Sequence, residues 1–192
     1  EESKSKISNR IAIKNISINS KIIKKNDIFF AIKGKKVDGN KFIFEALKKR
    51  SSIAIVNRIN KNFPVSKQIK VKNTLDFLTE CSSIFRENIN AKIISITGSC
   101  GKTTLKEMIG LTFKKITKVT YSPKSYNNKY GVPLSLFNLK HNDKFGVFEV
   151  GMDKKGEIDH LTKIIRPDLG IITNISYAHS KNFTSISQIA DA

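Results

Sequence analysis

The sequence predicts an α/β fold in two parts: a small α/β N-terminal domain over residues 1–88, then a truncated parallel-sheet domain over residues 89–192. Three observations carry this prediction. Beyond Asn90, strand-like and helix-like segments alternate, the pattern of a parallel sheet with helices on both faces. Before Glu87 the segments are shorter and mixed, and Glu87-Asn88-Ile89-Asn90 forms a polar junction between the two patterns. A glycine-bearing loop, Thr97 to Thr104, stands where a strand gives way to a helix.

The elements follow in order. Ile11-Ala12-Ile13 and Ile16-Ser17-Ile18 are short β-like stretches, and Asp27 to Ile32 reads as a buried strand closed by a turn at Lys33-Gly34-Lys35-Lys36. Phe42 to Lys49 is helical, with Phe42, Ile43, Ala46 and Leu47 at helix spacing. Ser52 to Val56 returns as a strand. Asn73-Thr74 caps a helix that runs through Arg86, with Leu75, Leu78, Cys81 or Ser82, and Phe85 on one face. In the second part Ile93 to Thr97 is a strand, and Thr103 to Lys114 is a helix expected to turn Leu105, Met108, Ile109 and Thr112 inward. Phe145 to Val150 is a strand, Gly156 to Ile165 a helix stopped by Arg166-Pro167, and Leu169 to Ile175 a third strand. Ser185 with Gln188 forms a capping box for a last helix.

Composition narrows the function classes. At 39% hydrophobic residues the chain can build a core, yet no run approaches the ~20 apolar residues of a membrane span. Glu1-Glu2-Ser3-Lys4 is not followed by the apolar stretch of a signal peptide. Cys81 and Cys100 make neither a CxxC nor a metal-ligand spacing, so a reducing cytoplasm is the expected compartment. The net charge of +19 is spread along the chain rather than gathered in one block. A solvated basic surface accounts for it without a nucleic-acid partner, and a polyphosphate substrate would also suit a positive field.

The loop Thr97-Gly98-Ser99-Cys100-Gly101-Lys102-Thr103-Thr104 carries the chemistry. Its glycines let backbone N–H groups turn in around phosphate oxygens, and the helix N-terminus adds partial positive charge. Lys102 can reach the β- and γ-phosphates of a nucleotide, and the Thr103 hydroxyl can ligate Mg²⁺. Ile96 stands where the longer phosphate-loop pattern has its first glycine, so this is the shorter form opening at Gly98.

Other residues admit two readings on their own. Glu149 closes a strand and is either a solvated carboxylate or, since parallel strands deliver their C-terminal ends to one edge, a cation ligand beside the loop. His179 follows the third strand and is structural or reaches the same edge. Asn127 and Asn128, between a strand and a helix, serve a turn or a ligand.

Taken together, Gly98 to Met108, Tyr126-Asn127-Asn128-Lys129-Tyr130-Gly131-Val132-Pro133-Leu134, Glu149-Val150-Gly151-Met152 with Gly156-Glu157-Ile158, and Ile172-Thr173-Asn174-Ile175 followed by Ala178-His179 resemble the Mur ligases in order and spacing. The Lys106-Glu107-Met108 continuation resembles the branch that joins D-alanyl-D-alanine to UDP-N-acetylmuramoyl-tripeptide. The resemblance implies a P-loop ATPase-like second domain, ATP and Mg²⁺ as cofactors, and carboxylate activation through an acyl phosphate. It implies that Gly98, Ser99, Cys100, Gly101, Lys102, Thr103 and Thr104 hold the nucleotide. Thr103 and Glu149 are then Mg²⁺ ligands, His179 helps hold a second Mg²⁺, and Lys102, Glu149 and His179 form the catalytic set. Ser125, Asn127 and Asn128 would face the peptide of the precursor.

In the first domain Asn19-Ser20-Lys21 stands where the family has Asp, then Ser or Thr, then Arg, and the lysine lacks the bidentate fork of arginine. Ser20, Lys21, Lys33, Gly34, Asp38 and Asn40 are the implied UDP-sugar contacts, though simple turns would also explain these segments. Family members continue into the rest of the ATP domain and a third, dipeptide-binding domain. The resemblance therefore implies that these 192 residues alone do not ligate, and that the lysine the family carbamylates comes directly after Ala192. A cytoplasmic monomer with no nucleic-acid partner is the remaining expectation.

Overall fold

The computed structural model describes residues 13–34, 37–49, 51–177 and 182–191. Over these the chain folds as two compact units that divide between Phe77 and Leu78. The division falls inside a helix, ahead of the polar junction at residues 87–90.

The first unit holds a four-stranded, all-parallel sheet in the order β1 (Ile16–Ser17), β2 (Ile28–Phe30), β3 (Ile53–Val56), β4 (Gln68–Lys70). Its crossovers include a 3-10 turn, Gly39–Phe42, running into α1 (Ile43–Lys48). Phe29, Ala31, Ala54 and Val56 from the strands pack with Ile43 and Ala46 of α1 and with Ile23. β3 is buried along its whole length, as a parallel strand covered on both faces should be. The helix α2 (Thr74–Glu87) begins as the capping pattern predicts: Asn73 Oδ1 accepts from the N–H groups of Leu75 and Asp76. The expected strand and helix at 27–32 and 42–49 are both present in shorter form. Ile11 and Ala12 lie outside the described residues. The short β4 carries too little alternation to announce itself.

The second unit is also a four-stranded parallel sheet, ordered β6 (Val119–Tyr121), β7 (Phe145–Glu149), β5 (Lys92–Thr97), β8 (Leu169–Ile172). Its helices are α3 (Lys102–Ile116), α4 (Gly131–Leu136), α5 (Glu157–Ile165) and α6 (Ile186–Ala190). Alternate residues of the strands build two cores. Ile93 and Phe148 face α4 and α5 among Val132, Leu136, Leu161 and Ile165. Ile94, Ile96 and Val147 face α3 through Leu105, Ile109 and Phe113. That is the period-two signature of a sheet covered on both sides.

The inward face of α3 differs from the expected one. Met108 is 62% exposed and Thr112 is also exposed, whereas Lys106 and Gly110 are buried. The helix turns Leu105, Ile109 and Phe113 to the sheet and seats Gly110 against the Tyr121 ring, where a Cβ would lie 2.6 Å from the ring carbons. The last strand ends at Ile172 rather than Ile175, because the chain turns there to meet the glycine loop. The Ser185 cap of α6 is as expected, its Oγ accepting from Gln188 N–H at 3.2 Å, but Gln188 Oε1 returns to Thr184 N–H rather than to Ser185.

Arg86 closes the lower end of this unit. Its guanidinium donates to the carbonyls of Ile165 (2.9 Å), Ile89 (2.8 Å) and Arg166 (3.2 Å), covering the C-terminal end of α5 where Arg166 adopts a left-handed conformation. Arg86→Ala leaves these carbonyls without their donor and is expected to cost roughly 2 kcal/mol. Denaturant unfolding checks this; an unchanged midpoint would show that water replaces the guanidinium freely.

Candidate functional site

Because every strand of the second sheet runs the same way, four loops gather at one edge: those after β5, β6, β7 and β8. The sheet also changes winding direction at β5, with β7 on one side and β8 on the other. Open parallel sheets bind ligands at such a switch point.

The loop after β5 has the form a phosphate cradle needs. Gly98 (φ 132°) and Gly101 (φ 78°) adopt backbone conformations that L side chains rarely reach. At Gly98 crowding adds to this, since a Cβ would lie 2.1 Å from Thr173 Oγ1. Lys102 is the first residue of α3, and its Nζ folds back over the loop to Gly98 O (2.5 Å) and Ser99 O (3.4 Å). A shallow cavity of about 70 Å³ opens beside the loop, lined by Gly98, Lys102, Met152, Ile172 and Asn174 among others.

The loop is laced to the segment after β8. Ser99 N–H donates to Asn174 O, Ser99 Oγ donates to Ser176 O, and Ser176 N–H donates back to Ser99 Oγ. Cys100 N–H donates to Asn174 Oδ1, Asn174 Nδ2 donates to the Cys100 sulfur, and Thr173 Oγ1 donates to Cys100 O. Thr173 to Ser176 thus brace the cradle. The sequence placed them at this edge but gave no sign of this partnership.

Glu149, the last residue of β7, is 1% exposed and reaches the start of α3. Its Oε2 accepts from Thr103 Oγ1 at 2.7 Å and its Oε1 accepts from Asn127 Nδ2 at 2.7 Å. Asn127 is itself fixed, its carbonyl accepting from Gly151 N–H at 2.8 Å. Ser125 Oγ lies 3.4 Å from Thr103 Oγ1. So four expected residues, Thr103, Ser125, Asn127 and Glu149, meet at one place, next to Lys102 at the start of α3. Asn128 serves the turn: its Oδ1 accepts from the N–H groups of Tyr130 and Gly131 at the start of α4. Thr104 is exposed on the first turn of α3. His179 lies outside the described residues.

A buried carboxylate beside a hydroxyl is a set of hard oxygens, and such a set fits Mg²⁺. Among the described residues no group of three or more His, Cys, Asp or Glu could cage a metal unaided. A cation here would complete its shell with phosphate oxygens and water, which is how Mg²⁺ is commonly held.

In the first unit Lys33 and Asp38 form an antiparallel bridge around Gly34, whose N–H donates to Val37 O at 2.8 Å. Asp38 Oδ1 accepts from Asn40 N–H and Nδ2, and Oδ2 pairs with Arg58 at 3.1 Å. The Asn40 hydrogen bonds, and more weakly Arg58, hold the Asp38 carboxyl below its ordinary range. Ser20 Oγ donates to Glu45 at 2.6 Å, and Lys49 Nζ donates to the carbonyls of Ser20 and Lys21. Lys21 itself is exposed. Arg58, Glu45 and Lys49, which order these segments, were not singled out from the sequence because their partners are 20 or more residues away.

Comparison with known proteins gives the same outline. Residues 96–192 match the family model described as Mur ligase middle domain, and residues 12–86 match the one described as Mur ligase family, catalytic domain. The UDP-N-acetylmuramoyl-tripeptide–D-alanyl-D-alanine ligase of Rickettsia prowazekii is 36% identical over 97% of this chain, which spans 41% of that protein. The Bacillus subtilis protein of the same name is 30% identical over 94% of this chain and 40% of its own length. Among solved structures, MurF from Acinetobacter baumannii superposes with a TM-score of 0.86 at 33% identity, over 94% of this chain and 40% of that one. MurF from Thermotoga maritima in complex with ADP gives 0.83 at 31% identity, over 95% and 42%. The chain therefore spans about 40% of the length of the relatives it matches.

Proposed function

The chain belongs to the Mur ligase family, and we propose that it is the precursor-binding and nucleotide-binding portion of an ATP-dependent ligase that joins D-alanyl-D-alanine to UDP-N-acetylmuramoyl-tripeptide. The observation that carries this is a glycine loop with positive-φ residues, capped by the Lys102 ammonium and followed at once by the Thr103–Glu149 pair.

The reaction brings two anions together. The γ-phosphoryl group of ATP passes to the terminal carboxylate of the precursor peptide, and the bond to the ADP oxygen breaks. The amine of D-alanyl-D-alanine then attacks the acyl carbon, the amide forms, a proton leaves the nitrogen, and inorganic phosphate departs. The loop N–H groups and the helix N-terminus hold phosphate oxygens, while Lys102 swings from the loop carbonyls to the β- and γ-phosphates. Thr103 and Glu149 would hold Mg²⁺, which when bound offsets phosphate charge as the phosphoryl group transfers. Asn127 keeps the Glu149 carboxylate oriented. In the first unit, Ser20, Lys21, Lys33, Gly34, Asp38 and Asn40 would contact the UDP moiety. Among the described residues no helix is long and apolar enough to cross a membrane; the proposed setting is the cytoplasm, where UDP-linked precursors are charged and water-soluble.

Calorimetric titration of the chain with ADP, with Mg²⁺ and then with EDTA, tests the reading. Binding that strengthens at least about tenfold with Mg²⁺ is expected. Absence of nucleotide binding in the presence of Mg²⁺ would overturn it.

A further inference from the structure

Among the described residues Lys106 is the one lysine or arginine that is fully buried. It lies four residues after Lys102 on α3, one helical turn further on. Its Nζ donates to the carbonyl of Lys124 and lies 3.1 Å from Glu107 Oε1. Burying an ammonium is unfavourable unless it is bonded, and an apolar side chain could fill this space without that cost. Besides its pair with the neighbouring Glu107 on the same helix, what the ammonium supplies, and a hydrocarbon cannot, is a grip on one carbonyl of another segment.

That carbonyl belongs to a residue in an unusual state. Lys124 has φ 49°, a left-handed conformation that residues other than glycine seldom adopt. It directly precedes the part of the loop that matters. Ser125 Oγ lies 3.4 Å from Thr103 Oγ1, and Asn127 Nδ2 donates to Glu149 at 2.7 Å. The ends of the loop are anchored, Ser122 to Val147 and Glu149 of β7 and Asn128 to the start of α4; between them it is held by short-range turns, Tyr126 N–H to Pro123 O and Asn127 N–H to Ser125 O, and by Gly151 N–H to Asn127 O.

We propose that Lys106 is a positioning residue: from beneath, it clamps the 122–128 loop to α3, so that Ser125 and Asn127 reach the Thr103 and Glu149 oxygens. The clamp gives the Lys106-Glu107-Met108 segment a physical task. Lys102 and Lys106 then divide the work of one helix face, the first toward the nucleotide and the second toward the loop that orients the carboxylate. The consequence for cation binding rests on the function proposed above; the clamp itself does not.

Two variants test it from opposite sides. Lys106→Met keeps a long buried chain and removes the donor. Lys124→Pro leaves the core untouched, since Lys124 is exposed, but proline cannot hold φ near 49° and so withdraws the carbonyl. Hydrogen–deuterium exchange of the ligand-free chain should show amides of residues 125–131 exchanging about tenfold faster in both variants, with the amides of α3 unchanged. The Mg²⁺ concentration at half-maximal ADP binding should rise about tenfold in both, while ADP affinity in EDTA stays within about twofold. Unchanged loop exchange, or a loosened loop with an unmoved Mg²⁺ midpoint, would overturn the proposal. If the unaltered chain binds no nucleotide, the phosphate-loop reading fails, and the exchange measurement alone then decides the clamp.

Discussion

Lys102→Ala is expected to weaken Mg²⁺-dependent nucleotide binding by roughly 100-fold, and to lower ligation by the full-length protein on the order of 1000-fold. Lys102 contributes a point charge at the mouth of the loop, and among the described residues no other lysine bonds the loop carbonyls. Lys106, the nearest lysine on the same helix, is buried and engaged with the Lys124 carbonyl. The fold should survive the change, because among the described residues the Lys102 ammonium bonds the loop carbonyls of Gly98 and Ser99 alone. Circular dichroism and the melting temperature should therefore stay close to those of the unaltered chain while titrations with ADP lose their signal. Unchanged turnover in a folded Lys102→Ala protein would remove the ATP assignment.

Glu149→Gln should act on the metal rather than on the precursor. The amide keeps the size of the side chain and loses the charge that draws a cation. One of its two polar atoms becomes a donor, so it can no longer accept from both Thr103 and Asn127 as the carboxylate does. The Mg²⁺ concentration for half-maximal turnover by the full-length protein is expected to rise about 100-fold, a larger effect than any loss of UDP-precursor affinity. Superimposable Mg²⁺ titrations of the two proteins would reduce Glu149 to a buried strand end.

The second sheet was the more legible half. Ile93 to Thr97, Phe145 to Val150 and Leu169 onward carry apolar residues over strand length, although β8 lies exposed at the edge of the sheet, and the glycine loop marks where the first strand turns into a helix. Knowing that the strands are parallel was enough to bring Glu149 to the loop. β4 and β6 escaped notice since three residues cannot show a period. Lys106 escaped for a different reason: charge is read as solvent-facing, and Met108 as core, whereas here the lysine is inside and the methionine outside. Contacts such as Asn127 with Glu149, or Ser20 with Glu45, join residues separated by 22 and 25 positions and leave no local mark. Asn128 had two readings, and the turn accounts for its side-chain oxygen.

The lacing of Ser99 and Cys100 to Thr173–Ser176 has a consequence for how the two loops respond to ligands. Six hydrogen bonds join the two short segments, so ordering of one is expected to order the other. By reciprocal linkage, a phosphate that orders the loop after β5 also orders the end of β8, and whatever steadies the end of β8 raises phosphate affinity by the same factor. A nucleotide at the loop would thereby be felt across β5, on the flank of the sheet away from β6 and β7.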